Sequence, residues 1–110
     1  MTDTPEAKPD DGKVYFDRAD PKVHFAMPAH PTVEQQLTFH SQYVETVNQP
    51  MYLRNWHAAR ILVTDWACDV LPDMAVDLKT ITDPSAATII MWVSNQVLTY
   101  INGLDTLPKV

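Results

Sequence analysis

Asp83-Pro84-Ser85-Ala86-Ala87-Thr88-Ile89-Ile90-Met91-Trp92-Val93-Ser94-Asn95-Gln96-Val97-Leu98-Thr99-Tyr100-Ile101-Asn102-Gly103 carries its own start and stop signals. Asp83 can cap a helix with its side-chain oxygen, and Pro84 suits the first helical position, where a missing N–H costs nothing. Gly103 supplies a left-handed stop. Between them, Ile89 to Val93 is apolar all the way round a helix. Such a helix has to be enclosed on most sides, and in a chain of 110 residues a partner is one candidate for the enclosing surface.

Working outward, the preceding segment reads as a second helix over residues 51–70. Tyr52, Trp56, Ala59, Val63, Trp66 and Val70 repeat in four- and three-residue steps, a face suited to packing on other helices. Arg54 and Arg60 fall off that stripe and are expected in solvent. Leu71-Pro72-Asp73 closes this helix, and residues 74–82 carry no deciding signal. A first helix is expected over residues 32–47. Thr32 and Gln35 have the spacing of a capping box, and Val33, Leu37, His40, Val44 and Val47 follow one stripe with Phe39 and Tyr43 beside it. His40 on that stripe is expected as a packed, hydrogen-bonded imidazole.

Upstream, Val14 and Phe16 alternate with Tyr15, and Val23 and Phe25 with His24, around the turn-like Asp17–Pro21. That is the period of half-buried strands, so residues 13–28 form a β-hairpin or an extended arm. Residues 1–12 are rich in Asp, Glu, Pro and Thr and are expected to be a disordered acidic tail. Leu104, Leu107 and Val110 are candidates for docking back on the bundle. The expected fold is mainly α: one three-helix bundle-like domain over residues 13–110 with an N-terminal hairpin or arm.

Charge and composition narrow the function. A net charge of −6 with eight dispersed Lys and Arg argues against nucleic-acid binding, which needs clustered cations. No apolar run approaches the ~20 residues of a membrane span, and Met1–Glu6 lacks a secretory signal's basic and apolar regions. An intracellular protein is expected. Cys68 is the sole cysteine, so no internal disulfide or cysteine-based zinc cluster can form. His24, His30, His40 and His57 include no i, i+4 pair and no HExxH motif, so no metal site is assigned. Asp65, Asp69, Asp73 and Asp77 recur every four residues, but Pro72 interrupts any shared helical face. On the helix reading, Asp65 and Asp69 form a like-charge pair near a C-terminus, where the macrodipole disfavours them. Cys68 and His57 on one helix stand about 16 Å apart, too far for a hydrogen bond. Neither a nucleophile elbow nor a glycine-rich phosphate loop is present. No cofactor is expected, and no enzyme.

The three tryptophans are the stronger signal, because aromatics dominate both cores and interface hot spots. Tyr52, Trp56, Trp66, Ile90 and Trp92 are the candidate partner-binding residues, with core packing as the competing reading of each tryptophan.

Three segments carry a resemblance: Pro31-Thr32-Val33-Glu34-Gln35-Gln36-Leu37, then Tyr52-Leu53-Arg54-Asn55-Trp56 with Asp65-Trp66, and the ending Leu107-Pro108-Lys109-Val110. In texture the chain, over roughly residues 14–110, resembles small acidic proteins of the tail assembly chaperone type encoded among tail genes of long-tailed bacteriophages. That resemblance implies a helical, non-enzymatic protein that shields a tape-measure-like helical partner in the host cytoplasm, possible self-association, and no catalytic residues. It equally suits a structural virion component of the tail or head–tail joint. A small histidine-metal enzyme and an acidic inhibitor remain as further alternatives.

Overall fold

The computed structural model describes residues 12–104. The expected acidic tail therefore lies outside the described residues except for Gly12, as do Leu107 and Val110. Strands β1 (Lys13–Ala19) and β2 (Lys22–Pro28) are followed by helices α1 (Val33–Glu45) and α2 (Met51–Ala59). Strand β3 (Thr64–Cys68), a 3-10 turn (Leu78–Thr80) and helix α3 (Pro84–Leu104) complete the order. The strands form one antiparallel sheet in the order β1-β2-β3. The mainly α bundle expected from the sequence is thus corrected to a mixed fold of three helices and a three-stranded antiparallel sheet.

The correction arises inside residues 51–70. Helix α2 stops at Ala59, and Ile61, Leu62 and Val63 turn on hydrogen bonds back to Ala58 and Ala59 carbonyls. Ile61, Val63 and Thr64 are β-branched and lose χ1 freedom in a helix. The hairpin, marginal alone in water, offers β2 as an unpaired edge, and Thr64–Cys68 pairs with it: Val23 faces Cys68, His24 faces Ala67 and Ala26 faces Thr64. Two periods coincide here. Trp66 and Val70 fit a helical stripe, yet Trp66, Cys68 and Val70 also alternate with the exposed Asp65, Ala67 and Asp69. Strand pairing selects the second period. The extra residue on β3 is taken up where the register shifts between His24 and Ala26, beside Asp65 in the left-handed region at φ 55°, the geometry of a β-bulge.

The hairpin turns at Asp20–Pro21 through a cis peptide, and its inner face is strongly apolar. Val23, Phe25 and Met27 are fully buried, and Phe16 stacks on Phe25 across the strands at 4.8 Å between ring centroids. Helix α3 lies on this face. Trp92 meets Phe25 edge-on (5.8 Å), and Tyr100 meets Phe16 edge-on (6.3 Å). The Tyr100 hydroxyl donates to the Ala29 carbonyl at 2.6 Å, tying the end of α3 to the exit of the hairpin.

Helix α2 covers another side of α3, where the buried Ser94 hydroxyl donates to the Tyr52 carbonyl at 3.3 Å. Ile89, Val93 and Val97 are consequently enclosed, each worth roughly 1.5–3 kcal/mol of transfer free energy. Beyond its first residue, the fully exposed positions of α3 fall on one line, Ala87, Met91, Asn95, Thr99 and Asn102, with half-buried residues beside it. The apolar helix that suggested a missing partner is enclosed by the chain's own sheet and α2.

Candidate partner-binding surface

Helix α1 starts with a formed capping box. The Thr32 hydroxyl accepts from the Gln35 N–H (3.1 Å), and the Gln35 side chain accepts from the Thr32 N–H (2.8 Å). The helix packs on α2 through the side that carries the buried Phe39 and the half-buried Tyr43. Arg54 from α2 lies flat on the Tyr43 ring, 3.9 Å from its centroid, and donates from Nε and Nη2 to the Tyr43 carbonyl at 3.2 and 3.1 Å. Arg54, expected in solvent, is instead the clamp between the two helices. Its planar fork suits both a ring face and a helix-end carbonyl.

This docking turns the other stripe outward. Val33, Leu37, Val44 and Val47 are between 54 and 71% exposed, and Met51 and Tyr52 extend the apolar surface around the α1–α2 turn. His40 sits in the middle of the stripe and is exposed, so the packed imidazole expected there is corrected. Two aromatic anchors one helical position away claim the inner side, because rings bury more area than the valines and leucine of the outer stripe. Leu37 and His40 also form one wall of a groove of about 520 Å³ whose other wall is Leu98, Ile101 and Asn102 at the end of α3. Exposed apolar side chains gathered along one helix make this strip the candidate docking surface.

The five residues singled out from the sequence divide. Tyr52 is half exposed at the edge of the α1 surface. Trp56 is fully buried and Ile90 is 9% exposed, so as contact residues both are corrected to core. Trp56 contacts Trp66 edge-on at 5.8 Å. Trp66 is partly buried, and its indole N–H donates to the Leu71 carbonyl at 2.6 Å. Trp92 is partly buried between Phe25 and the Arg18 guanidinium, 5.9 Å above its ring. The structure therefore links the three tryptophans and Phe25 by ring contacts, with Trp56 in the core and Trp66 and Trp92 partly buried against it, and brings only Tyr52 to the apolar surface. Sequence reasoning found the Val33–Val47 stripe but not its outward orientation. The available signal was the pair Phe39 and Tyr43 beside a narrow four-three seam, the pattern of an exposed coiled-coil-like face.

The polar groups have local duties. His24 Nδ1 lies 2.7 Å from Asp17 Oδ1 on the outer sheet face. Asp65 pairs with Lys13 Nζ at 2.9 Å; since Asp65 lies on β3 and Asp69 beyond it, the helix-end charge pair expected for them does not exist. Asp73, Asp77 and Asp83 accept from the backbone N–H groups of Ala75, Lys79 and Ser85. Cys68, on β3 rather than on a helix with His57, accepts from the Leu71 N–H through its sulfur at 3.4 Å. His57 is held below the ordinary histidine value of 6.5, first by burial and then by the neighbouring Arg60. His57 and Arg60 line a smaller cleft of about 270 Å³ that they share with Asp77 and Lys79. Among the described residues, no group of three His, Cys, Asp or Glu side chains is placed to hold a metal ion. No described helix is long and apolar enough to cross a membrane.

Comparisons with protein-family models, with curated proteins and with solved structures found no match to this chain.

Proposed function

We propose that this protein is a non-catalytic interaction protein that uses the outer stripe of α1 to cover an apolar helical segment of a partner. The observation that carries the reading is the exposure of Val33, Leu37 and Val44 along one helix whose other side is anchored to α2, continued by Val47 just past its C-cap. A helix lying along that stripe meets side chains at four-three spacing, the arrangement that pairs two helices at a shallow crossing angle. The resemblance to phage tail assembly chaperones supplies the class of partner: a long, helix-rich, tape-measure-like protein shielded during assembly in the host cytoplasm. The chain's acidity supports such a role, keeping a complex with an apolar client in solution.

The test is affinity capture of the chain from cells expressing its native gene set, alongside Leu37→Lys and Val44→Lys. One long helical protein, recovered with the native chain and lost with both variants, is the expected result. A partner retained by both variants would remove α1 from the reading. Recovery of tube, connector or capsid subunits, again lost with both variants, would place the same surface in a structural virion component.

A further inference from the structure

We infer that the cleft between α2 and the segment forming the 3-10 turn binds a small carboxylic acid, one carboxylate carried on an aromatic or branched aliphatic body. The cleft, of about 270 Å³, shares no residue with the α1 stripe, so this site stands apart from the reading of α1 as a docking surface.

Cations without acids mark the site. The chain has eight Lys and Arg against fourteen Asp and Glu. Lys13 pairs with Asp65, Arg54 lies on Tyr43, and Arg18 lies over Trp92. Arg60, the C-cap of α2, and Lys79, in the 3-10 turn, reach the same cleft from separate elements. Neither has a carboxylate within ion-pair distance among the described residues. Arg60 Nη1 lies 3.5 Å from His57 Nδ1. Burial and Arg60 favour the neutral form of that imidazole, so it faces the guanidinium without adding charge. The rest of the planar fork is open to a bidentate acceptor.

The balance of charge limits the ligand to one acid. Among the described residues, Asp77 is the one acid on the lining, and its Oδ1 accepts from the Lys79 N–H at 3.0 Å as the cap of the turn. With His57 neutral, Arg60 and Lys79 exceed Asp77 by a single positive charge. A phosphate monoester carries close to two negative charges and would bring the second against Asp77.

The floor selects the rest of the molecule. Leu53, Trp56, Met74, Val76 and Leu78 line it, and Trp56 and Met74 are buried, so the core fixes its shape. Apolar walls with a few convergent polar groups are the usual composition of a small-molecule pocket. The volume of about 270 Å³ equals that of roughly nine waters at ~30 Å³ each. A ligand on the order of ten non-hydrogen atoms fits, and a long chain does not. A free aryl- or alkyl-acetic acid has this chemistry, and so does the last residue of a peptide with a free carboxylate.

The test is an NMR titration of the full chain, observing backbone and arginine side-chain N–H signals. The probes are phenylacetate, phenylacetamide, inorganic phosphate, and a short peptide ending in phenylalanine with a free or an amidated C-terminus. Phenylacetate should give saturable shifts at Leu53, Trp56, Arg60 and Lys79, with a Kd in the low millimolar range or tighter, the scale set by its size. Phenylacetamide should bind about tenfold more weakly or worse, and so should phenylacetate to Arg60→Gln, because each loses a charge-assisted hydrogen bond. Lys79→Gln should weaken phenylacetate about threefold, as expected of an exposed pair. Both side chains are exposed, so thermal melting of the variants should match the native chain. If Arg60→Gln shifts signals far from the cleft, Lys79→Gln and the comparison of acid with amide decide. A peptide that binds at least as tightly as phenylacetate, and only with a free end, assigns the carboxylate to a peptide. Tighter binding of phenylacetate assigns it to a free acid. Equal affinity for acid and amide overturns the inference. So does phosphate binding as tightly as phenylacetate, shifts that fall outside the cleft, or no saturation by about 20 mM.

Discussion

Leu37 and Phe39 are two residues apart on α1, and truncating each to alanine should have very different consequences. Phe39 is 6% exposed against α2, whereas Leu37 is 64% exposed. Phe39→Ala removes a buried ring and leaves a cavity, at a cost of about 3–4 kcal/mol. Leu37→Ala loses roughly a third of a leucine's transfer free energy, about 0.5–1 kcal/mol. In urea, with m near 1.5 kcal/mol/M, the midpoint should fall by about 2 M for Phe39→Ala and by no more than about 0.7 M for Leu37→Ala. The measurement belongs at concentrations low enough that stability no longer depends on protein concentration, so that self-association does not enter. If Leu37→Ala shifts the midpoint as far as Phe39→Ala, the stripe is packed inside the chain. The outward orientation of α1, and every argument for a docking surface, would then be wrong.

Trp56→Ala, at a fully buried site in contact with Trp66, should cost about 3–5 kcal/mol; a loss under 1 kcal/mol in chemical denaturation would contradict the core position. At the β3 bulge, where Asp65 holds φ 55°, Asp65→Val should destabilise by about 1–2 kcal/mol, since a β-branched residue resists the left-handed region. Asp65→Gly should be nearly neutral, easing the backbone while losing the exposed Lys13 pair; equal effects of the two substitutions on Tm would discount the backbone argument. Burial and Arg60 lower the His57 pKa in the folded chain, so the folded state favours the neutral ring. The associated stability is complete above the unfolded value near 6.5 and is lost as pH falls through the lower folded pKa. Tm should therefore decline as pH falls from about 6.5 toward the lower folded pKa, and His57→Gln should flatten the decline; an unchanged slope in the variant would assign the pH dependence elsewhere.

Local chemistry in the sequence determined a good deal. Alternation in Val14–Phe16 and Val23–Phe25, the Thr32–Gln35 box and the Asp83-Pro84 start each involve residues within a few positions of one another. Each forms as a strand pair, a cap or a helix start. The tertiary structure alone decided the points where two local answers were equally good. Residues 64–68 satisfy a helical and a strand period at once, and only the open edge of β2, some 40 positions upstream, selects the strand. Helix α1 carries two adjoining apolar stripes. Periodicity finds both, but contact with α2, through Phe39, Tyr43 and Arg54, chooses which is buried. The candidate site follows from that choice. The tryptophans were legible as large apolar surfaces, yet the packing of Trp66 and Trp92 depended on Phe25 and Arg18 arriving from the sheet. A sequence states which side chains avoid water. Which of them succeed depends on partners distant along the chain, and the stripe left outside by that competition is the surface on which the proposed function rests.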